Sequence, residues 1–295
     1  MKVGIDLGGT KTEALLIDEK GNKIYSKRIP TQKNYQGTLN GIVELISEIE
    51  QKFKNINSIG IGMPGAISLE TSLIKSANSI WMNGKPFKSD LEKLLQKKVK
   101  IENDANCFTL SEAVDGAGKS YSIVFGVIIG TGTGAGIVID KKIIRGNNYA
   151  AGEFGHTSLP RSNDKEINLA KKCYCGLSGC IETFLSGPGF TGIFNKINQT
   201  NITSEDIVEL YKKKDTRAIK ALEDYVDRLA RSLSAVINIL DPDIIILGGG
   251  MSNIEFIYEN INKVISKYVF SDYVKTRIVK NIHGDSSGVR GAAWL

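Results

Sequence analysis

The chain has 295 residues, 41% of them hydrophobic, and 38 lysines and arginines against 32 acidic residues give it a formal net charge of +6. This length and apolar content support one large domain or two medium ones, with two lobes expected, and the basic residues are scattered without a long like-charged block, which argues against a nucleic-acid partner. No stretch approaches the roughly eighteen apolar residues of a membrane span, and Asp6 interrupts the first apolar run where a signal peptide would need continuity, so a cytoplasmic protein without membrane attachment is expected.

The opening apolar run delivers Asp6 to its end, turns through Gly8 and Gly9, and returns as an alternating run from Ala14 to Asp18. Glycines at such a turn let backbone N–H groups approach a phosphate, and a neighbouring carboxylate suits a hydrated Mg²⁺. A dinucleotide-binding loop would have to open a helix, whereas Thr12 to Asp18 has period two. A P-loop requires Gly-Lys-Ser/Thr, and the order here is Gly9-Thr10-Lys11-Thr12. An ordinary β-hairpin remains the plain alternative for this stretch.

Asn22 to Ile29 reads as a third strand, and Gly37 to Phe53 as a helix with Leu39, Ile42, Val43, Ile46, Ile49 and Phe53 on one face. Ser58 to Gly62 is a buried-type strand closed by the Met63-Pro64-Gly65 turn. A helix over Ser89 to Lys98, capped by Ser89 or Asp90, and a strand over Val99 to Glu102 follow, the latter presenting Asn103-Asp104-Ala105-Asn106 at its carboxyl end. On its own, that tetrapeptide is also compatible with a simple helix cap.

The pattern then begins again. Ser122 to Ile129 is an apolar strand, Gly130-Thr131-Gly132-Thr133-Gly134-Ala135-Gly136 a glycine turn, and Ile137 to Asp140 a returning strand. Two related halves, each with a phosphate loop, are expected. Ala218 to Leu240 is an amphipathic helix, with Ile219, Leu222, Val226, Leu229, Leu233, Val236, Ile237 and Leu240 assigned to the core. Asp243 to Leu247 is a buried strand running into Gly248-Gly249-Gly250, and Ile254 to Tyr268 is helical. The glycine triplet lets a flat ligand such as adenine lie against backbone, or serves only as a tight strand-to-helix turn.

Three of the four cysteines, Cys173, Cys175 and Cys180, crowd into one short segment, which looks like a metal knuckle one ligand short of a tetrahedral zinc site. His156 is one of only two histidines. Buried free cysteines are the alternative, and Cys107, apart from the others, reads as core.

Several of these segments resemble, in order along nearly the whole chain, the ROK sugar kinases (repressors, open reading frames and kinases). They are Gly4-Ile5-Asp6-Leu7-Gly8-Gly9-Thr10-Lys11, Glu102 to Asn106, Gly130 to Gly136, Gly152-Glu153-Phe154-Gly155-His156, and Cys173 to Glu182. Ser76 to Gly84 and His283 to Trp294 look most like bacterial fructokinases of the manno(fructo)kinase type. The resemblance implies an α/β protein with the two-lobed actin-like (ribonuclease H-like) ATPase fold and duplicated strand, glycine turn, strand units. Residues 1–117 would form the N-terminal lobe and 118–295 the C-terminal lobe, with the last helix packing back on the first.

The activity implied is ATP-dependent phosphorylation of a hexose 6-hydroxyl, with fructose preferred. N-acetylglucosamine kinase or glucokinase is the alternative, and a non-catalytic sugar-sensing regulator is the alternative of a different class. By the same resemblance Asp104 is the general base, and Asn103, Glu153, His156 and Glu182 contact the sugar. ATP is assigned to Gly4, Ile5, Asp6, Leu7, Gly8, Gly9, Thr10 and Lys11, to Gly130, Thr131, Gly132, Thr133, Gly134, Ala135, Gly136 and Ile137, and on the adenosine side to Gly248, Gly249 and Gly250. Asp6 would orient Mg²⁺ through water. His156, Cys173, Cys175 and Cys180 would hold a structural Zn²⁺, and the usual assembly would be a homodimer.

Overall fold

The computed structural model describes residues 1–295 and divides into two compact units. Unit 1 comprises Met1–Lys119, Lys141–Ala151 and Ile282–Leu295; unit 2 comprises Ser120–Asp140 and Gly152–Asn281. No helix is long and apolar enough to cross a membrane.

Unit 1 opens with the antiparallel strands β1 (Lys2–Leu7), β2 (Lys11–Ile17) and β3 (Lys23–Pro30). The pairing register sets Asp6 opposite Glu13 and Glu13 opposite Arg28. Helix α1 (Tyr35–Lys52) begins two residues before the expected Gly37, because the side chain of Asn34 accepts from Gly37 N and caps a first turn that carries no apolar signal. It buries Leu39, Ile42, Leu45, Ile46 and Ile49 against the sheet cluster of Val3, Ile5 and Ile61. Each such side chain contributes about 1.5–3 kcal/mol on leaving water.

Strand β4 (Ser58–Met63) lies parallel to β1, and a two-residue pair, β5 (Ala66–Ile67) and β6 (Ile74–Lys75), follows. Helix α2 (Phe87–Leu95) starts ahead of the expected Ser89 or Asp90 cap. Its anchor is apolar, since Phe87 is fully buried, and Asp90 sits inside the first turn, accepting from the Tyr35 hydroxyl at 2.7 Å. Strand β7 (Lys100–Asn103) pairs parallel with β4 and runs directly into α3 (Asp104–Val114). The sheet order is β3-β2-β1-β4-β7.

Unit 2 repeats the plan. Strands β8 (Ile123–Ile129) and β9 (Thr133–Ile139) are antiparallel; β10 (Lys142–Ile143) then belongs to the Lys141–Ala151 excursion of unit 1. The helices of unit 2 are α4 (Asp164–Leu169), α5 (Glu182–Leu185), α6 (Gly187–Asn198), α7 (Ser204–Lys212), α8 (Thr216–Leu240) and α9 (Glu255–Ile265). Strands β11 (Ile244–Gly248) and β12 (Arg277–Lys280) complete the order β9-β8-β11-β12, with β11 parallel to both neighbours. That order and those directions are the ones of β2-β1-β4-β7, so the duplication is one of topology.

A further boundary differs from the sequence reading. The second glycine run is not all turn: β9 starts at Thr133, and Gly134 and Gly136 pair with Ile128 and Gly126 inside the ladder. Glycine disfavours a strand, which made the run read as loop, but here it marks close backbone approach. A Cβ on Gly152 would lie 2.4 Å from Ala135 O, and one on Gly155 1.9 Å from Thr133 O.

In α8, Leu222, Val226, Leu229, Leu233 and Ile237 are buried, while Ile219, Val236 and Leu240 are half-buried at the margin of the core. The chain re-enters unit 1 at Ile282 and ends in α10 (Ser287–Trp294), which packs backbone to backbone on the first sheet. A Cβ on Gly4 would lie 2.1 Å from Val289 O, and one on Gly60 1.9 Å from Ala292 O.

Candidate active site

In unit 1, β1 carries Asp6 to the carboxyl edge of the sheet, and the turn after it is closed by Gly8 N donating to Lys11 O at 3.0 Å. The Thr31 hydroxyl donates to Gly8 O at 2.8 Å and shares a second hydrogen bond with the Thr12 hydroxyl, so β3 braces the Gly8-to-Lys11 turn from the side. Along the row set by strand register, Arg28 donates to Glu13, which stands next to Asp6. Burial pushes the Asp6 carboxyl up to about 7; Asp104 and Glu13 push in the same direction, and Arg28 pulls it back. A group so loaded with neighbouring negative charge is relieved by a cation, which is what an Mg²⁺ position needs.

Asp104 is the first residue of α3 and is half-buried. Its Oδ1 accepts from Ala105 N at 2.9 Å, and the helix N-terminus favours negative charge there. Asn103 caps the helix, its Oδ1 accepting from Ala105 N at 2.9 Å, while its Nδ2 donates to Gly65 O at 3.2 Å. The Met63-Pro64-Gly65 turn therefore fixes the Asn103 amide. Buried Glu102 accepts from Asn103 N, the Asn106 amide and Arg145, holding the strand-to-helix corner from beneath.

In unit 2, the glycine turn is closed by Gly130 N donating to Gly132 O at 2.9 Å, and Gly187 N at the start of α6 donates to Gly130 O at 2.9 Å. The Glu182 Oε2 accepts from Thr133 N at 2.9 Å, so this carboxylate lies against the turn. Glu153 is exposed and opens the single helical turn that ends in His156. Strand β11 ends at Gly248, and Gly249 has φ +80°, with Ile129 O only 2.5 Å from where a Cβ would be, so glycine is required there.

The three cysteines and His156 converge. Their ligand atoms all lie within 4.8 Å of one another. The Cys175 and Cys180 sulfurs are 3.6 Å apart, and the Cys173 sulfur is 3.5 Å from His156 Nδ1. These separations fit the edges of a tetrahedron around a zinc ion with Zn–S of about 2.3 Å, and they exceed the roughly 2.05 Å of a disulfide. Burial pushes the Cys173 thiol up and the Cys180 thiol up to about 12, while the Leu177 backbone amide draws Cys175 down to about 7. Ionising all three together calls for a cation. His156 Nε2 lies 2.8 Å from the Tyr174 hydroxyl, a partner the sequence reading did not foresee.

The ROK family model matches residues 2–295. The chain belongs to the ROK family. Among its curated relatives, an N-acetyl-D-glucosamine kinase of Shigella boydii is 38% identical over 299 residues, covering 100% of this chain and 99% of the relative. A ROK hexokinase from Thermus thermophilus superposes with a TM-score of 0.88 at 25% identity, covering 99% of this chain and 97% of that one. A ROK glucokinase from Streptomyces griseus, solved with glucose and AMPPNP, superposes with a TM-score of 0.80 at 25% identity, covering 100% and 98%. The reading of a ROK-family sugar kinase with the actin-like ATPase fold stands. The preference for a fructokinase is not what these relatives carry.

Within this ROK chain, unit 1 brings together Asp6, the Gly8-to-Lys11 turn, Asn103 and Asp104, and unit 2 brings together Gly130 to Thr133, Glu182, His156 and the cysteines. Tyr174, Thr31 and Arg145 went unread. Tyr174 had a local signal, since it lies between Cys173 and Cys175; Thr31 and Arg145 had none, because their partners are 23 and 43 residues away.

Proposed function

We propose that this ROK protein is an ATP-dependent hexose kinase that phosphorylates the 6-hydroxyl of N-acetylglucosamine, with Asp104 as general base. The observation that carries the proposal is the Asp104 carboxylate, set at the first turn of α3 beside Asp6 in a chain aligned end to end with N-acetyl-D-glucosamine kinases. A sugar hydroxyl is a poor nucleophile, so the carboxylate accepts its proton as the phosphoryl group transfers. Mg²⁺, when bound, neutralises charge on the phosphates. Asp6 would hold that ion, and N–H groups at the two glycine turns, within Gly9 to Lys11 and at Thr131 and Gly132, hold phosphate oxygens. Gly248 to Gly250 take the adenosine side.

Asn103, Glu153 and Glu182 hold the sugar hydroxyls, and His156 joins them through Nε2 when the sugar displaces the Tyr174 hydroxyl from it. His156, Cys173, Cys175 and Cys180 would hold Zn²⁺, whose contribution is rigidity, since four protein ligands leave no open position for water. The His156 ring is then fixed by Nδ1 on one side and Tyr174 on the other. N-acetylglucosamine is placed ahead of fructose because of the relatives; the fructokinase likeness rests only on Ser76 to Gly84 and the closing segment.

A coupled ATP assay against N-acetylglucosamine, glucose, mannose and fructose tests the reading. The expected result is the highest kcat/KM on N-acetylglucosamine, and Asp104→Asn should lower turnover by about 10²–10⁴ with nucleotide affinity little altered. A clear preference for fructose would restore the fructokinase reading, and an active Asn variant would remove Asp104 from the role of base.

A further inference from the structure

Glu112 lies near the C-terminal end of α3 and is fully buried. Its Oε1 accepts from His283 N at 3.2 Å and the Ser287 hydroxyl at 2.9 Å; its Oε2 accepts from Ala117 N at 3.0 Å and Ile282 N at 3.1 Å. All four donors are neutral. A buried carboxylate is costly, and an apolar side chain would suffice if packing alone were needed. A carboxylate only accepts, however, so two donors on each oxygen match it, whereas a glutamine would turn an NH₂ group against two of them.

Three of those donors belong to the stretch where the chain re-enters unit 1 and starts α10. The start of that helix meets Asp6: a Cβ on Gly288 would lie 3.2 Å from Asp6 Oδ2. Further along, α10 is held by different contacts. Asp115 accepts from Trp294 Nε1 at 3.1 Å and pairs with Arg290, and Gly291 rests on the Cys107 backbone. Asp115 and the glycine contact thus fix the body of α10, and Asp115 also meets the His283 ring at 3.0 Å, while Glu112 holds the backbone N–H groups of Ile282 and His283 and the Ser287 hydroxyl at its beginning. The helix that Glu112 terminates is also the one that Asp104 opens.

We propose that Glu112 is a positioning residue for phosphoryl transfer, setting through the Ile282–Ser287 stretch where α10 begins against Asp6. The inference rests on the proposed role of Asp6 with Mg²⁺. Loss of the carboxylate leaves the start of α10 held only through the His283 ring on Asp115, so its backbone shifts and the surroundings of Asp6 shift with it, while the sugar contacts are untouched.

The test compares Glu112→Gln, Ser287→Ala and Asp6→Asn in the full chain, measuring kcat, the Mg²⁺ concentration for half-maximal rate, sugar affinity by calorimetry, and thermal melting. Glu112→Gln should lower kcat at least tenfold and raise the Mg²⁺ requirement several-fold, with sugar affinity within twofold. Ser287→Ala, which removes one donor, should move both quantities in the same direction by a smaller factor; it decides the matter if Glu112→Gln fails to fold. Folded variants with wild-type kcat and Mg²⁺ requirement, whatever their melting temperature, would overturn the proposal and leave Glu112 a purely structural clamp. If Asp6→Asn leaves the Mg²⁺ dependence unchanged, it is the role of Asp6 that fails, a result separable from any effect at Glu112.

Discussion

At Asp6, burial and two neighbouring carboxylates act together to raise the carboxyl from 3.8 to about 7. The folded protein therefore holds a proton that the unfolded chain has released between those values, and stability present at the acidic end is lost as pH rises through about 7. Asp6→Asn has no such proton to lose. In chelator, the melting temperature of the native protein should fall across that interval relative to the Asn variant, and Mg²⁺ should restore it only for the native protein. Parallel pH profiles would mean that the carboxylate cluster exerts no such strain. Asp6 and Asp104 were legible in the sequence because each closes an apolar run beside small or turn-forming residues. Glu112 was not, since three of its four partners lie 170 or more positions away and its own helix offered no reason to single it out.

Among the elements, the segment from His156 to Glu182 has little of its own to hold it. It contains one short helix, α4, and its regular pairing is a single bridge between Ser158 and Cys180. Glu166 ties α4 to Arg228 and Arg231 of α8, and the cysteine end has, besides the His156 and thiol contacts, a few backbone hydrogen bonds such as Cys173 N to Leu177 O at 3.0 Å and Leu159 N to Gly179 O at 2.8 Å. If the four ligands hold zinc, chelation or Cys175→Ser should speed amide exchange over this segment, lower the melting temperature and abolish activity together. Full activity and unchanged exchange in metal-free protein would show that the cluster is held by its thiols alone. The knuckle could be read from cysteine spacing, and the strand, glycine turn, strand units from alternation. What could not be read was where a glycine run stops turning, because β9 is packed by Gly152 and Gly155, whose backbones lie on the Ala135 and Thr133 carbonyls and arrive later in the chain. The early start of α2 was hidden for a related reason: an apolar anchor, Phe87, replaces the polar cap the sequence offered.

For the molecule as a whole, the repeated topology means that each unit carries its own buried cluster, one around Val3, Ile5 and Ile42 and the other around Val127, Leu229 and Leu247. Unit 1 is nevertheless assembled from three separate stretches of chain. Truncation after Asn281 should therefore expose the faces of β1 and β4 at Gly4 and Gly60, remove three of the four donors to Glu112, and leave unit 1 unfolded or aggregated. Limited proteolysis would show it, with fragments from 1–119 lost first; a truncated chain as resistant as the full one would contradict the packing described. The duplication could be anticipated from pattern, whereas the division into units depends on contacts that no local stretch encodes.

The seat of α10 also has a consequence for biosynthesis. The glycines of β1 and β4 are made before the second unit, yet the helix that fills against them is made after it. The amino-terminal sheet must then wait, incompletely covered, while all of the second unit is translated, which leaves apolar surface open to misassociation during synthesis.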